Sequence, residues 1–178
     1  MQPALRVALL LAASALVFGC GSSGPTSSYD ASDNQTLYRT GKITVAQLSS
    51  SGYGSGSTIA MQVISQCSGP NCTPESVDLL FSVEGNSETG LTTRTLSITA
   101  DGESYRFDEQ RSPRTRAGDI ERSQNTTVRV SGVPLSDVKT VAMAQSVEGN
   151  LGGVALDLES SQSDLQELVS MMEGTGGT

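Results

Sequence analysis

Short runs of alternating apolar and polar residues fill the chain beyond about residue 36. In each run an apolar side chain recurs at every second position. Successive side chains of a β-strand point to opposite faces, so a period of two predicts strands with one buried face. The apolar positions are Ile43 and Val45; Ile59, Met61 and Val63; Val77, Leu79, Phe81 and Val83; Val128 and Val130; and Val154, Leu156 and Leu158.

One hairpin can be predicted together with its register. Asp101 and Gly102 form a preferred two-residue type I′ turn, because both residue types tolerate a positive φ. Folding about this turn puts two apolar pairs on one face and two polar pairs on the other. A slip of one residue would mix the faces, so turn and pattern predict the same register. The apolar pairs are Ile98–Tyr105 and Leu96–Phe107, and the polar pairs are Thr99–Ser104 and Ser97–Arg106; next to the turn, Ala100 faces Glu103.

Apolar residues recur with helical spacing in two segments near the C-terminus. Ser136 can cap a first short helix, and Ser161 or Ser163 can cap a second. Ser163 and Gln166 also have the spacing of a capping box. The second apolar stripe is expected to pack on the protein's own sheet, with a partner-binding face as the alternative. The stripes are Val138, Val141 and Ala142 in the first helix, and Leu165, Leu168, Val169 and Met172 in the second.

These elements predict a mainly β fold. We expect an antiparallel sandwich of about 7–8 strands with a C-terminal helix docked on it. A sandwich is favoured over a closed barrel because several connections are long and contain helices; the alternatives are an α+β antiparallel sheet or a small barrel packed on the helix. Residues 36–173 are expected to form this single domain, and residues 174–178 a disordered tail.

The first 19 residues have the organisation of a cleaved signal peptide. A short segment with one positive charge, Arg6, precedes a run of about a dozen apolar residues from Val7 to Phe18. A helix needs about 20 apolar residues to span a bilayer, so this run is too short for a comfortable span. We therefore assign residues 1–19 to a signal peptide.

The end of that segment, Val17-Phe18-Gly19-Cys20, resembles the lipobox of bacterial lipoproteins. Phe18 departs from the pattern, which commonly has a small residue there. The resemblance implies cleavage before Cys20, a diacylglycerol on its thiol and often a third chain, such as palmitate, on its amine. Gly21, where an Asp would favour the inner membrane, implies the periplasmic face of the outer membrane. The resemblance covers only about the first 20 residues.

Residues 20–35 are predicted to be the lipidated cysteine and a flexible tether. Gly, Ser, Pro, Asp and Asn dominate this stretch, and almost nothing in it is apolar. About 15 such residues have a typical reach of roughly 20 Å.

Composition and charge narrow the range of functions that the protein can have. The formal net charge is −8, so the chain should be repelled by nucleic-acid phosphates, and we expect no nucleic-acid partner. The chain contains no His, which excludes Ser-His-Asp and Cys-His catalysis and His-ligated zinc. Aromatic residues are only 4%, so the core must consist mainly of Val, Leu, Ile and Ala.

Cys67 and Cys72 are predicted to form a disulfide. With Cys20 acylated, they are an even pair in an oxidising compartment. Gly69 and Pro70 between them favour a turn. The spacing differs from the Cys-x₂-Cys redox motif, which leaves a redox role as a weaker alternative.

Arginines cluster in a segment that follows the predicted hairpin. Arg111, Arg114 and Arg116 are candidates for contact with an anionic ligand. The competing interpretation is a solvated loop that neutralises itself, because acidic residues are interspersed. The neighbouring charged residues are Arg106, Asp108, Glu109, Asp119, Glu121 and Arg122.

Together these features predict a membrane-anchored periplasmic lipoprotein acting as a non-catalytic interaction or envelope-assembly module. The expected partners are the membrane, through the lipid anchor, and another envelope protein. The sequence indicates no catalytic residue, no metal and no cofactor, and it leans against an enzyme. A carrier of a small apolar ligand is the alternative. A hydrolase without His, using a Ser-Lys pair or two carboxylates, is a third interpretation.

Overall fold

The computed structural model describes residues 24–48, 56–85, 95–108 and 127–174. Within these ranges the chain forms ten strands and two α-helices, with a 3₁₀ turn at Glu159–Ser161 before the second helix. The strands are β1 (Thr26–Asp30), β2 (Gln35–Arg39), β3 (Ile43–Leu48), β4 (Ser57–Ser68), β5 (Ser76–Glu84), β6 (Thr95–Ala100), β7 (Glu103–Asp108), β8 (Thr127–Pro134), β9 (Val147–Leu151) and β10 (Val154–Leu156); the helices are α1 (Leu135–Met143) and α2 (Gln162–Met172).

Two antiparallel sheets make up the β-structure. The larger sheet runs in the order β1-β2-β4-β5-β8, and the smaller in the order β10-β9-β6-β7. The twelve-residue strand β4 is long enough to pair with two strands along one edge, β3 at its start and β2 at its end. The described strands form no closed barrel. The prediction of a mainly β, two-sheet fold with a C-terminal helix is confirmed, although ten strands exceed the 7–8 expected.

The inner faces of the two sheets share one hydrophobic core. The apolar side chains of β4, β5 and β8 that follow the period of two are almost fully buried, as are those of β6. This burial is what the alternating pattern requires of strands with one face on a core. The most deeply buried large side chains include Phe81, Ile59, Leu96, Leu151, Leu158, Leu168 and Met172.

The two helices pack against each other and complete the cover of the larger sheet. Helix α1 contacts β8, and α2 contacts β2. Two glutamine side chains of α2 donate hydrogen bonds to carbonyls at the end of α1: Gln166 to Ala142 at 2.7 Å, and Gln162 to Ala144 at 2.8 Å. These bonds satisfy carbonyls that the helix end leaves without helical partners. The stripe of α2, including Leu165 and Leu168, is buried as predicted.

The hairpin of β6 and β7 has the predicted register at every pair. Asp101 and Gly102 have φ values of 49° and 88°, as a type I′ turn requires. Oδ1 of Asp101 also accepts hydrogen bonds from the backbone N–H groups of Gln145 and Ser146, at 2.9 and 3.0 Å. Asp101 therefore joins the hairpin by hydrogen bonds to the segment that follows α1.

Of the predicted helix caps, Ser161 has the predicted position but not the capping bond, and Ser136 and Ser163 are not caps. Helix α1 begins directly after β8, with Pro134 as its N-cap, so Ser136 lies inside the helix. Ser161 is the N-cap of α2, but its hydroxyl donates to the Leu158 carbonyl of the preceding 3₁₀ turn and caps no helical N–H. Ser163 lies inside α2, and its supposed capping-box partner Gln166 binds α1 instead.

The predicted tether also ends earlier than residue 35. Residues Thr26–Asp30 form strand β1, which pairs along its whole length with β2. All five residues are exposed. The sequence did not show this strand, because β1 is held by backbone pairing and contributes no apolar side chain to the core. The folded domain therefore extends to within a few residues of Cys20.

Candidate functional site

A disulfide closes the turn between β4 and β5. Cys67 is near the end of β4, and its Cα lies 5.9 Å from that of Cys72. Gly69 has a φ of 104°, a left-handed conformation that glycine adopts without steric cost. The disulfide predicted from the even cysteine pair is confirmed.

Two side-chain hydrogen bonds join this turn to the rest of the domain. The phenol of Tyr38 on β2 donates a hydrogen bond to the Cys72 carbonyl at 3.0 Å. The hydroxyl of Thr73 donates to the carbonyl of Met172, at the end of α2, also at 3.0 Å. The disulfide thus lies in a turn that joins β2, β4 and α2, which favours a structural role over the redox alternative.

The other candidate residues lie outside the described ranges. Cys20, the predicted lipidation site, and the signal peptide of residues 1–19 both fall there. So do the anion-binding candidates Arg111, Arg114 and Arg116. Arg106 of the same cluster is described: it is exposed on β7 and faces Ser97 across the hairpin.

The core offers little room for an apolar ligand. Between the sheets and the helices lies a cavity of about 20 Å³, a volume close to that of one water molecule. Ligand pockets of proteins are typically about 300–1,000 Å³. The small volume follows from side chains that meet there from both sheets and both helices, among them Met61, Ile98, Val138 and Leu165.

The outer face of the smaller sheet carries a shallow depression of about 360 Å³. Polar side chains of β6 and β9 line it together with Val147, Ala155 and Leu156. Ser97 lies opposite Asn150, and Thr99 lies opposite Glu148. The hydroxyl of Thr99 also lies 3.3 Å from that of Ser104. A face of this composition can offer hydrogen bonds to a partner, but it contains no grouping of acid, base and nucleophile.

An ion pair occupies the outer face of the larger sheet. The guanidinium of Arg129 on β8 donates through Nε to Oδ2 of Asp78 on β5, at 3.0 Å. The other oxygen, Oδ1, accepts the backbone N–H of Gly132 at 3.0 Å. The register between β5 and β8 shifts at this point, so Asp78 is bonded across a β-bulge. Sequence reasoning missed this contact, although Gly132 inside an apolar strand pattern is a bulge signal.

Two surface groups have shifted pKa values with local causes. The hydroxyl and the backbone N–H of Ser32 both donate to Oδ1 of Asp30, and these bonds lower the pKa of the Asp30 carboxyl. The phenol of Tyr105 donates to Glu103 at 2.9 Å, which raises the pKa of Tyr105. Each shift comes mainly from one neighbouring side chain within a turn or strand, which is common at structural positions.

Among the described residues, no three His, Cys, Asp or Glu side chains come together as a metal site would require. The described helices include none that combines the length and hydrophobicity needed to cross a bilayer. Comparisons of the chain with protein families, with curated proteins and with solved structures found no match. What the geometry defines is a disulfide-containing, two-sheet β domain with two helices on its larger sheet.

Proposed function

We propose that this protein is a lipid-anchored component of the bacterial cell envelope, acylated at Cys20, that acts as a non-catalytic interaction or assembly module. The disulfide between Cys67 and Cys72 carries the argument, because such bonds form and persist in oxidising compartments outside the cytoplasm. It supports export, which the signal-like first 19 residues and the lipobox resemblance at Cys20 also imply.

An anchor at Cys20 would need no membrane-spanning helix. An acyl chain contributes about 0.8 kcal/mol for each buried CH₂, so two or three chains hold a protein firmly without any spanning helix. The described part of the domain begins at Gly24, four positions after Cys20, and Pro25 is already buried. Placement at the periplasmic face of the outer membrane, implied by Gly21, is part of the proposal.

The packing counts against the carrier alternative. A ligand of even ten heavy atoms needs far more than the 20 Å³ between the sheets and helices. The depression around Ser97 and Asn150 is open to solvent and suits a protein partner better than an apolar cargo, which it would leave exposed to water.

The test is the chemical state and location of Cys20. We expect mass spectrometry of the protein from its native membrane to show a mature chain that begins at an acylated Cys20. Cys20→Ser should leave the precursor unprocessed or release the protein from the membrane fraction. Cys67→Ser is the matched control, because it removes a cysteine without touching the lipobox. An unmodified mature terminus would refute the proposal.

A further inference from the structure

The position of Gly24 limits the distance between the domain and an acyl anchor at Cys20. Only residues 21–23 lie between Cys20 and Gly24. Whatever conformation they take, four peptide steps span no more than about 14 Å. If Cys20 is acylated, the surface around Gly24 therefore lies close to the bilayer. This inference rests on the proposed function.

Two elements meet at that surface. Gly24 packs against α2, since a Cβ placed on it would lie 3.5 Å from Oε2 of Glu167. The next residues enter β1, the edge strand of the larger sheet, with Thr26 paired to Arg39. The bilayer thus meets an edge of the domain formed by β1 and the neighbouring side of α2.

Of these two elements, β1 has the chemistry that suits a lipid headgroup layer. Its sequence is Thr26-Ser27-Ser28-Tyr29-Asp30, so hydroxyl-bearing side chains fill four of five positions and the one charge is at the far end. Tyr29 is 45% exposed, and among the described residues Met143 is the other large apolar side chain exposed to a similar degree. Tyrosine favours membrane interfaces because its ring is apolar and its hydroxyl is polar.

We propose that β1 lies against the headgroup layer of the membrane that holds Cys20, with Tyr29 as its interfacial side chain. The short chain to Gly24 brings the strand to the bilayer, and all five of its residues are exposed, including Tyr29, whose hydroxyl donates to Oδ1 of Asn34 at 2.9 Å. Carboxylates flank the strand at Asp30 and Glu167, so the contact does not depend on anionic lipid.

The absence of tryptophan provides a direct probe. The chain contains no Trp, so Tyr29→Trp creates a single indole at the proposed contact. The acylated protein would be reconstituted into phosphatidylcholine vesicles whose acyl chains carry bromine, which quenches nearby indoles. Ser27→Trp places a second probe on the same side of β1. Ser97→Trp, on the outer face of the smaller sheet, is the matched control.

We expect a loss of fluorescence and a blue shift for Tyr29→Trp and Ser27→Trp, and neither change for Ser97→Trp. Circular dichroism of each variant checks that it has folded. If the protein floats with the vesicles but the β1 probes are not quenched, the contact is wrong and the anchor stands. If mass spectrometry shows no acyl group and the protein does not float, both proposals fall. Quenching of the β1 probes only after anionic lipid is added would contradict the proposed contact, which is independent of lipid charge.

Discussion

Gly132 donates its backbone N–H to Oδ1 of Asp78 across 3.0 Å, and this bond joins the bulge of β8 to its neighbour β5. The glycine has a φ of 73°, which a residue with a side chain adopts only with strain. An added Cβ would meet nothing within 4 Å. Any cost of a side chain at this position is therefore conformational and not steric.

Gly132→Ala should lower the free energy of unfolding by about 1–2 kcal/mol, the cost of the left-handed conformation for an L-residue. Urea unfolding followed by circular dichroism measures it. Ser131→Ala is the control, since it changes a side chain in the same bulge at a residue whose φ is not positive. Equal stability of Gly132→Ala and the unchanged protein would show that the bulge can relax.

At Gly149, in contrast, the cost of an added side chain would be steric. Its φ is ordinary, but a Cβ there would lie 2.7 Å from Cδ1 of Leu158, which is 1% exposed. Gly149→Ala should destabilise the protein by about 1–3 kcal/mol, as overpacking of a core typically does. The closest approach is to Leu158, with Cβ of Leu156 next at 3.0 Å. Leu158→Ala combined with Gly149→Ala should therefore cost less than the two single changes added together. Strict additivity in this double-mutant cycle would contradict the assignment.

Some elements of this fold can be predicted from the sequence and others cannot. The hairpin of β6 and β7 was predictable pair by pair, because the Asp101-Gly102 turn and the alternating pattern each fix the register. Strand β1 was not, because it buries no side chain. The start of α1 was missed because β8 ends at Pro134 and the helix follows it without a loop. Alternating and helical patterns thus identify elements with a buried face, while a strand held only by backbone pairing leaves no such pattern.

The same distinction applies to the candidate sites. The disulfide was predictable from an even cysteine pair around a Gly-Pro turn. The Asp78 contact with Gly132 was not, because it joins residues 54 positions apart. The proximity of Gly24 to Glu167 likewise depends on how α2 docks. Pairings of this kind follow from tertiary packing, which a single sequence does not reveal.

The disulfide should contribute modestly to stability. The bond closes a loop of five sequence steps, and the chain-entropy relation gives about 2 kcal/mol for so short a loop, against nearly 5 for one of about 100 residues. We expect reduction to lower Tm without unfolding the domain. The unreduced protein should show no alkylated thiol at Cys67 or Cys72, which mass spectrometry after iodoacetamide treatment can check. Complete unfolding on reduction would show that the turn stabilises more than its own loop.

A substitution in the buried apolar stripe of α2 can show whether this helix is part of the fold or an interaction face. Leu168 is fully buried in the core, so Leu168→Ala should remove about 2–5 kcal/mol from a domain that holds only about 5–15. Tm of the isolated protein should fall clearly with no partner present. Ser163→Ala, on the exposed side of the same helix, is the control and should change Tm little, because Ser163 is not the cap of α2.

The same variant can be tested in native membranes. If Leu168 packs only on the protein's own core, any partner crosslinked to the unchanged protein should still be crosslinked to the fraction of Leu168→Ala that is folded. A docking surface would give the reverse result, an unchanged Tm and a lost crosslink. Because Leu168 has no exposed surface and its neighbours Leu165 and Val169 are buried in the same stripe, the structure favours the fall in Tm. Measuring Tm and crosslinking on one variant therefore distinguishes the two roles without assuming the identity of the partner.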